Sequence, residues 1–368
     1  MIKTHCFQKE WIDSFKRQKA YSKINPPLVE KMIHAFSLLQ HLKKEGLPFV
    51  FKGGTSLLLL LKNARRFSVD IDILTEAGRN EVEQMLDRVI ERSIFTGWKL
   101  DERRSYQPGI PKAHYELSYD SRINRNANYI LLDILFERSA YPKLQERPIQ
   151  STWIETEETL TVTMPTTESI TGDKLTAFAP TTTGILYGKG KELEIIKQLF
   201  DLGHLFDEVQ DMHVVAASFG AFVKQEIAYR GLTIGAEAIL MDSIGTARII
   251  SLRERNRMEP EKSYFAELQR GIRSFSNYLI DGYFQIDEAV TSAAKVAYLC
   301  AKLWRQDHTP LVRYTGQDVQ ALLINNPLWN VLNKLKRFPD PAAFFYWHQC
   351  LTLLGLESGQ GLLTPAPY

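Results

Sequence analysis

The chain has 368 residues, 44% of them hydrophobic and 24% charged, an ordinary globular make-up with room for two domains or one large one. A formal net charge of +2 excludes a whole-molecule field that would demand nucleic acid and leaves only local basic patches. No apolar run approaches the roughly 18 residues of a membrane span, the opening MIKTHCFQKEW lacks a signal-peptide core, and Cys6, Cys300 and Cys350 stand too far apart for a metal motif or a disulfide framework, so a cytoplasmic protein is expected.

In chain order, Pro26-Pro27 precede LVEKMIHAFSLLQHLKKEG, where Met32, Phe36, Leu39 and Leu42 recur at helical spacing and Gly46 follows as a C-cap. PFVFK predicts a short strand, Gly53-Gly54 a turn, and SLLLLLKN a helix with Thr55 or Ser56 at its N-cap. SVDIDILT alternates as a strand does, and GRNEVEQMLDRVIER reads as an amphipathic helix. AHYELSYD, ANYILLDILFE and LTVTMPT predict three more strands. From Thr166 onward the pattern is helical, through TTESITGDKLTAFA, ELEIIKQLFDLGHLFDEV and later stretches such as VTSAAKVAYLCAKLWRQ and VQALLINNPLWNVLNKLKR. The expected architecture is therefore α/β (α+β): a domain with a mixed sheet over 1–208, then an all-helical domain over 209–368, with the boundary near 208–215. The loop PTTTGILYGKGK, rich in threonine and glycine, is expected to be mobile and to close over a ligand.

Chemistry concentrates in GGTSLLLLLKNARRFSVDID, residues 53–72. Asp70 and Asp72 are two apart on a predicted strand and so share a face, while Val69, Ile71 and Ile73 point into a core. Adjacent carboxylates repel and each wants a cation. Mg²⁺ takes oxygen ligands and is commonly held by one or two carboxylates plus substrate phosphates. A two-metal site needs a third carboxylate on a neighbouring strand, and Asp133 in ILLDILF is the candidate, because an unpaired charge in an apolar strand is costly. A solvated sheet face for the D-x-D and a satisfied core carboxylate for Asp133 are the plain alternatives. The glycines let backbone N–H groups approach a phosphate, and the helix that follows favours an anion.

Together these residues resemble the nucleotidyltransferase superfamily with the DNA polymerase β-like fold. FKGGTSL followed by RFSVDIDI is similar, more narrowly, to the AbiEii/AbiGii toxins, the enzyme half of bacterial toxin–antitoxin and phage-abortive-infection pairs. Lys174 in DKLTAF and Asp201 in KQLFDL match two further motifs of that family, with Gln198 where an acidic residue is frequent. The resemblance implies that Gly53, Gly54, Thr55 and Ser56 cradle a triphosphate, with Arg66 and Ser68 beside them. It implies Mg²⁺ at Asp70, Asp72 and Asp133, a phosphate-neutralising role for Lys174, and a role for Asp201 in binding the nucleotide or orienting Lys174. In the implied reaction an acceptor hydroxyl attacks the α-phosphate of an NTP and pyrophosphate leaves. By the same resemblance the acceptor is RNA, the tRNA 3′ end foremost, and an antitoxin is encoded nearby. Basic clusters at Lys43-Lys44, Arg103-Arg104, Arg122/Arg125, Arg253/Arg255/Arg257 and Lys334/Lys336/Arg337 would serve RNA if they converge. Transfer to a protein side chain or a small molecule, and a non-catalytic nucleotide-binding protein, are the competing readings. His204 is expected to be packed rather than catalytic.

Overall fold

The computed structural model describes residues 1–106 and 109–358. The chain packs as two compact units, one formed by residues 1–166 with the returning segment 277–283, the other by the remainder. By packing, the chain thus divides at Thr166, earlier than the boundary expected near 208–215. The cause lies in the two helices after Thr166, whose apolar faces are buried among the later helices rather than against a sheet.

In the first unit, five strands form a mixed sheet in the order β1-β2-β5-β4-β3: β1 (Val50–Lys52), β2 (Ile71–Leu74), β3 (Phe95–Leu100), β4 (Lys112–Asp120) and β5 (Ala127–Leu135). β2 and β5 run parallel and the other pairs antiparallel. A separate hairpin pairs β6 (Leu144–Pro148) with β7 (Thr161–Pro165). Strict alternation along β4 and β5 puts Tyr115, Leu117, Tyr119, Ile130, Leu132 and Ile134 into the core. Helices α2 (Pro26–Lys44) and α4 (Arg79–Glu91) pack in this unit's core with the sheet. α2 begins at the prolines themselves, whose fixed φ suits a first turn. Its Glu30 is fully buried, and its carboxylate accepts bonds from the Ser121 hydroxyl and the Arg122 and Ile123 N–H groups, closing the β4–β5 turn. One turn on, His34 stacks on Tyr119 and donates from Nδ1 to the Glu30 carbonyl. Burial pulls its pKa down to about 4. α1 (Lys9–Lys16) brings Trp11 and Phe15 to Trp153.

The other face of the sheet carries the short helices α3 (Gly53–Leu60) and α5 (Glu102–Ser105). α3 starts at Gly53, not at a Thr55 or Ser56 cap: Gly53 has φ +75, so the chain turns within one residue and the helix begins at once.

The second unit is helical among the described residues: α6 (Thr167–Ala177), α7 (Glu192–Glu208), α8 (Met212–Arg230), α9 (Ala236–Leu252), α10 (Glu261–Phe275), α11 (Ile286–Trp304) and α12 (Ala342–Leu354). α11 is its axis, buried through Ala289, Val290, Ala293, Ala297 and Cys300 and packed on α7, α9 and α12. Residues 319–329, expected to be helical, lie outside regular helix, and only Asn330–Arg337 follow as a 3₁₀ turn. The loop 180–191 is not mobile but pinned. The buried Asp242 carboxylate accepts from the Thr181 N–H and the Thr182 hydroxyl at 2.8 Å each, Glu267 accepts from the Gly188 N–H at 2.9 Å, and Tyr187 stacks on Tyr264 at 4.0 Å. No helix among the described residues is long and apolar enough to cross a membrane.

Candidate active site

In the first unit, four polar side chains line up across four strands. Lys52 on β1 lies opposite Asp72 on β2, Asp72 opposite Asp133 on β5, and Asp133 opposite His114 on β4. Residues paired in register point to the same side of a sheet. The row is fixed by the apolar residues between which it sits: Ile71 and Ile73 flank Asp72, Leu132 and Ile134 flank Asp133, and all four are buried on the core face. Asp70 stands two residues before Asp72, ahead of the first strand residue, Ile71.

The glycine turn closes onto this row. A Cβ added to Gly53 would come within 2.6 Å of the Asp72 Cγ. One added to Gly54 would lie 2.8 Å from both the Arg66 guanidinium and the Ser68 hydroxyl. Both ends of the 53–72 motif therefore meet, and only glycine leaves space between them. Thr55 and Ser56 are correspondingly withdrawn, both fully buried. The Ser56 hydroxyl donates to the Gly53 carbonyl, and the Thr55 hydroxyl has no partner among the described residues. Both lie on the buried side of the turn. The two arginines separate as well. Arg65 pairs with Asp281 on the returning segment at 3.0 Å, while Arg66 is buried, donates to the Phe67 carbonyl and forms a bridge with Leu279.

Asp133 is not the lone buried carboxylate of the sequence reading. Its side chain is 24% exposed and already partnered: Oδ1 accepts from His114 Nδ1 at 2.6 Å, and Oδ2 lies 3.6 Å from Arg104 of α5. His114 is itself fixed by its backbone N–H, which donates to the Ser105 hydroxyl at 2.9 Å. His114 was not singled out from sequence. The signal was its place in the alternation of KAHYELSYD, on the polar face of β4. The donors at Asp70 and Asp72, hard oxygens beside a glycine turn, fit a divalent cation such as Mg²⁺. Asp133 lies in register beside Asp72 on the neighbouring strand, with His114 and Arg104 on its two oxygens.

In the second unit, Lys174 of α6 and Asp201 of α7 form an ion pair at 2.8 Å, with side chains 7% and 2% exposed. Gln198, three residues before Asp201, accepts a second bond from Lys174 at 3.1 Å. Lys174 is thus held by the expected Asp201 and by the neutral amide that stands where the family often has an acidic residue. His204 is packed on Phe200 and bonds its carbonyl.

A family model described as a nucleotidyl transferase AbiEii toxin of a type IV toxin–antitoxin system matches residues 37–286. No curated protein matches the chain. Among solved structures, JHP933 from Helicobacter pylori is 15% identical, with 75% of this chain and 95% of that one covered and a TM-score of 0.41. An antigenic nucleotidyltransferase-like protein from Paracoccidioides brasiliensis is 12% identical, over 57% of this chain and 96% of its own, with a TM-score of 0.34.

Proposed function

Because the chain belongs to the AbiEii nucleotidyl transferase toxin family and is a nucleotidyltransferase, we propose that it moves a nucleotide from an NTP to an RNA acceptor, the tRNA 3′ end foremost. In this reading it depends on Mg²⁺, acts in the cytoplasm and blocks translation as the toxin of a pair with an antitoxin. The observation that carries the reading is the closure of Gly53 onto Asp72, with Asp133 in register beside it. A backbone turn suited to phosphates and carboxylates suited to their metal lie side by side.

The roles follow from that arrangement. The Gly53 and Gly54 backbone, with Arg66 and Ser68, receives the triphosphate. Asp70 and Asp72 would hold Mg²⁺, which supplies charge neutralisation to the phosphate oxygens. The acceptor hydroxyl oxygen bonds to the α-phosphorus while the bond to the bridging oxygen breaks, and pyrophosphate departs with the electron pair. Asp133 takes the hydroxyl proton, and His114 and Arg104 orient its two oxygens. Lys174, held by Asp201 and Gln198, is the cation that the family resemblance assigns to the phosphates. For the acceptor, support comes from the exposed Arg103 and Arg104 on α5, the second of them 3.6 Å from Asp133.

The test is incorporation of each α-labelled NTP into total tRNA with Mg²⁺, by wild type and by Asp70→Ala. Label in RNA that disappears in the variant supports the reading. Label in protein or a small molecule instead moves the acceptor class, and no transfer to anything defeats it.

A further inference from the structure

Beyond the C-terminal ends of the parallel strands β2 and β5 the first unit opens into a cavity of about 680 Å³, lined by Gly78, Arg79, Ser105, Tyr106, Lys112 and Phe136 among others. None of these residues belongs to the phosphate turn or the carboxylates. The Arg79 guanidinium lies 5.4 Å from the centre of the Tyr106 ring and 5.9 Å from that of Phe136, and it donates to the Lys112 carbonyl at 3.1 Å. Tyr106 is 67% exposed, a large ring left standing at the mouth of a cavity. Exposed aromatic faces beside cations are what nucleobases stack on, with their phosphates against the cations. The cavity joins the carboxylate row through two links. Ser105 on its wall holds the His114 N–H, and Lys112 on its wall stands two residues before His114 on the same face of β4, about 7 Å along the strand.

Topology decides which nucleotide it receives. β1 and β2 are antiparallel with Lys52 opposite Asp72, so the Gly53 turn, which follows Lys52, lies at the N-terminal end of β2. The cavity lies at the C-terminal ends of β2 and β5, with Asp72 and Asp133 between. In an in-line displacement the entering oxygen and the leaving pyrophosphate take opposite sides of the phosphorus. The donor's triphosphate occupies one end of the row, and the other end faces the entering hydroxyl. We propose that this cavity is the acceptor subsite. In it the terminal base of an RNA strand stacks on Tyr106, its phosphate meets Arg79, and its hydroxyl is presented to Asp133. This rests on the proposed RNA transfer for its ligand, but it assigns residues that reading does not use.

The experiment is binding of a fluorescein-labelled single-stranded RNA ending in CCA to the full chain without NTP, for wild type, Tyr106→Ala and Arg79→Gln. ATP affinity is measured beside it, and melting temperatures check folding. The expected result is RNA affinity weaker by about tenfold or more in each variant, with ATP affinity within twofold of wild type. Tyr106→Phe, which keeps the ring, should bind as wild type does. Unchanged RNA binding in both variants overturns the proposal, and so does a fall in ATP affinity with RNA unaffected, since the cavity would then be the donor's. Wild type that binds this RNA through Tyr106 yet labels no RNA defeats the transfer reading while the subsite stands.

Discussion

Two charged clusters of this protein are satisfied in opposite ways. In the first unit, Asp133 keeps 24% of its side chain in solvent and shares its oxygens between a histidine and an arginine. In the second, Lys174 and Asp201 are 7% and 2% exposed and neutralise each other directly. A partly exposed carboxylate can exchange a protein partner for a ligand at modest cost, because water already meets part of its charge. A buried pair cannot release either member without stranding the other in a poorly solvated place. The first arrangement is therefore suited to events that change charge, and the second to fixing the Lys174 ammonium in one place between α6 and α7.

Replacement should separate the two. Asp72→Asn should lower nucleotide transfer on the order of 10³-fold while leaving the melting temperature unchanged or raised, since it relieves repulsion from Asp133 and Asp70. A melting loss as large as that of an Asp201 variant would erase the distinction. Asp201→Ala should cost about 3–5 kcal/mol in urea unfolding by stranding Lys174, and Lys174→Met with Asp201→Leu should recover most of it. A single-variant cost below about 1 kcal/mol, the range of an exposed pair, would mean that burial is not what binds them. His34 sharpens the contrast from the uncharged side. It is buried neutral, with a pKa near 4 against 6.5 unfolded. The unfolded chain binds the extra proton first, so its stabilisation is full above pH 6.5 and is lost as pH falls from 6.5 towards 4. The wild-type advantage over His34→Gln in unfolding free energy should shrink by up to about 3 kcal/mol across that window, and a pH-independent difference would contradict it. The smallest effect should come from His114→Phe, with kcat down roughly tenfold and the KM for NTP within twofold. An altered KM with unchanged kcat would move His114 from Asp133 to the nucleotide.

Much of this architecture was legible because periodicity reports burial. AHYELSYD and ANYILLDILFE alternate since one face of each strand is core and the other is not, and that alternation places Asp133 off the core. β3 escaped because a bulge between Phe95 and Gly97 breaks its period, and β6 because it is mostly exposed. Asp70, Asp72 and the glycines could be read as chemistry, and their proximity followed from a short intervening helix. His114 could not, since its partner is set by β4–β5 register rather than by spacing. The 180–191 loop misled for a similar reason: threonines and glycines look mobile until Asp242 and Glu267, some 60 to 80 residues on, are seen to hold them.

The returning segment has a consequence for how the protein comes to be. The Phe67 N–H donates to the Tyr278 carbonyl and the Ile280 N–H donates to the Arg65 carbonyl, so the stretch leading into Asp70 is braced by residues made much later. At ordinary synthesis rates residues 167–276 take on the order of 5–20 s to emerge. Throughout that interval the nascent chain holds the carboxylates without the strut beside them. The family match, ending at residue 286, takes in that strut. The stretch that carries the carboxylates therefore receives its last support only once most of the chain has been delivered.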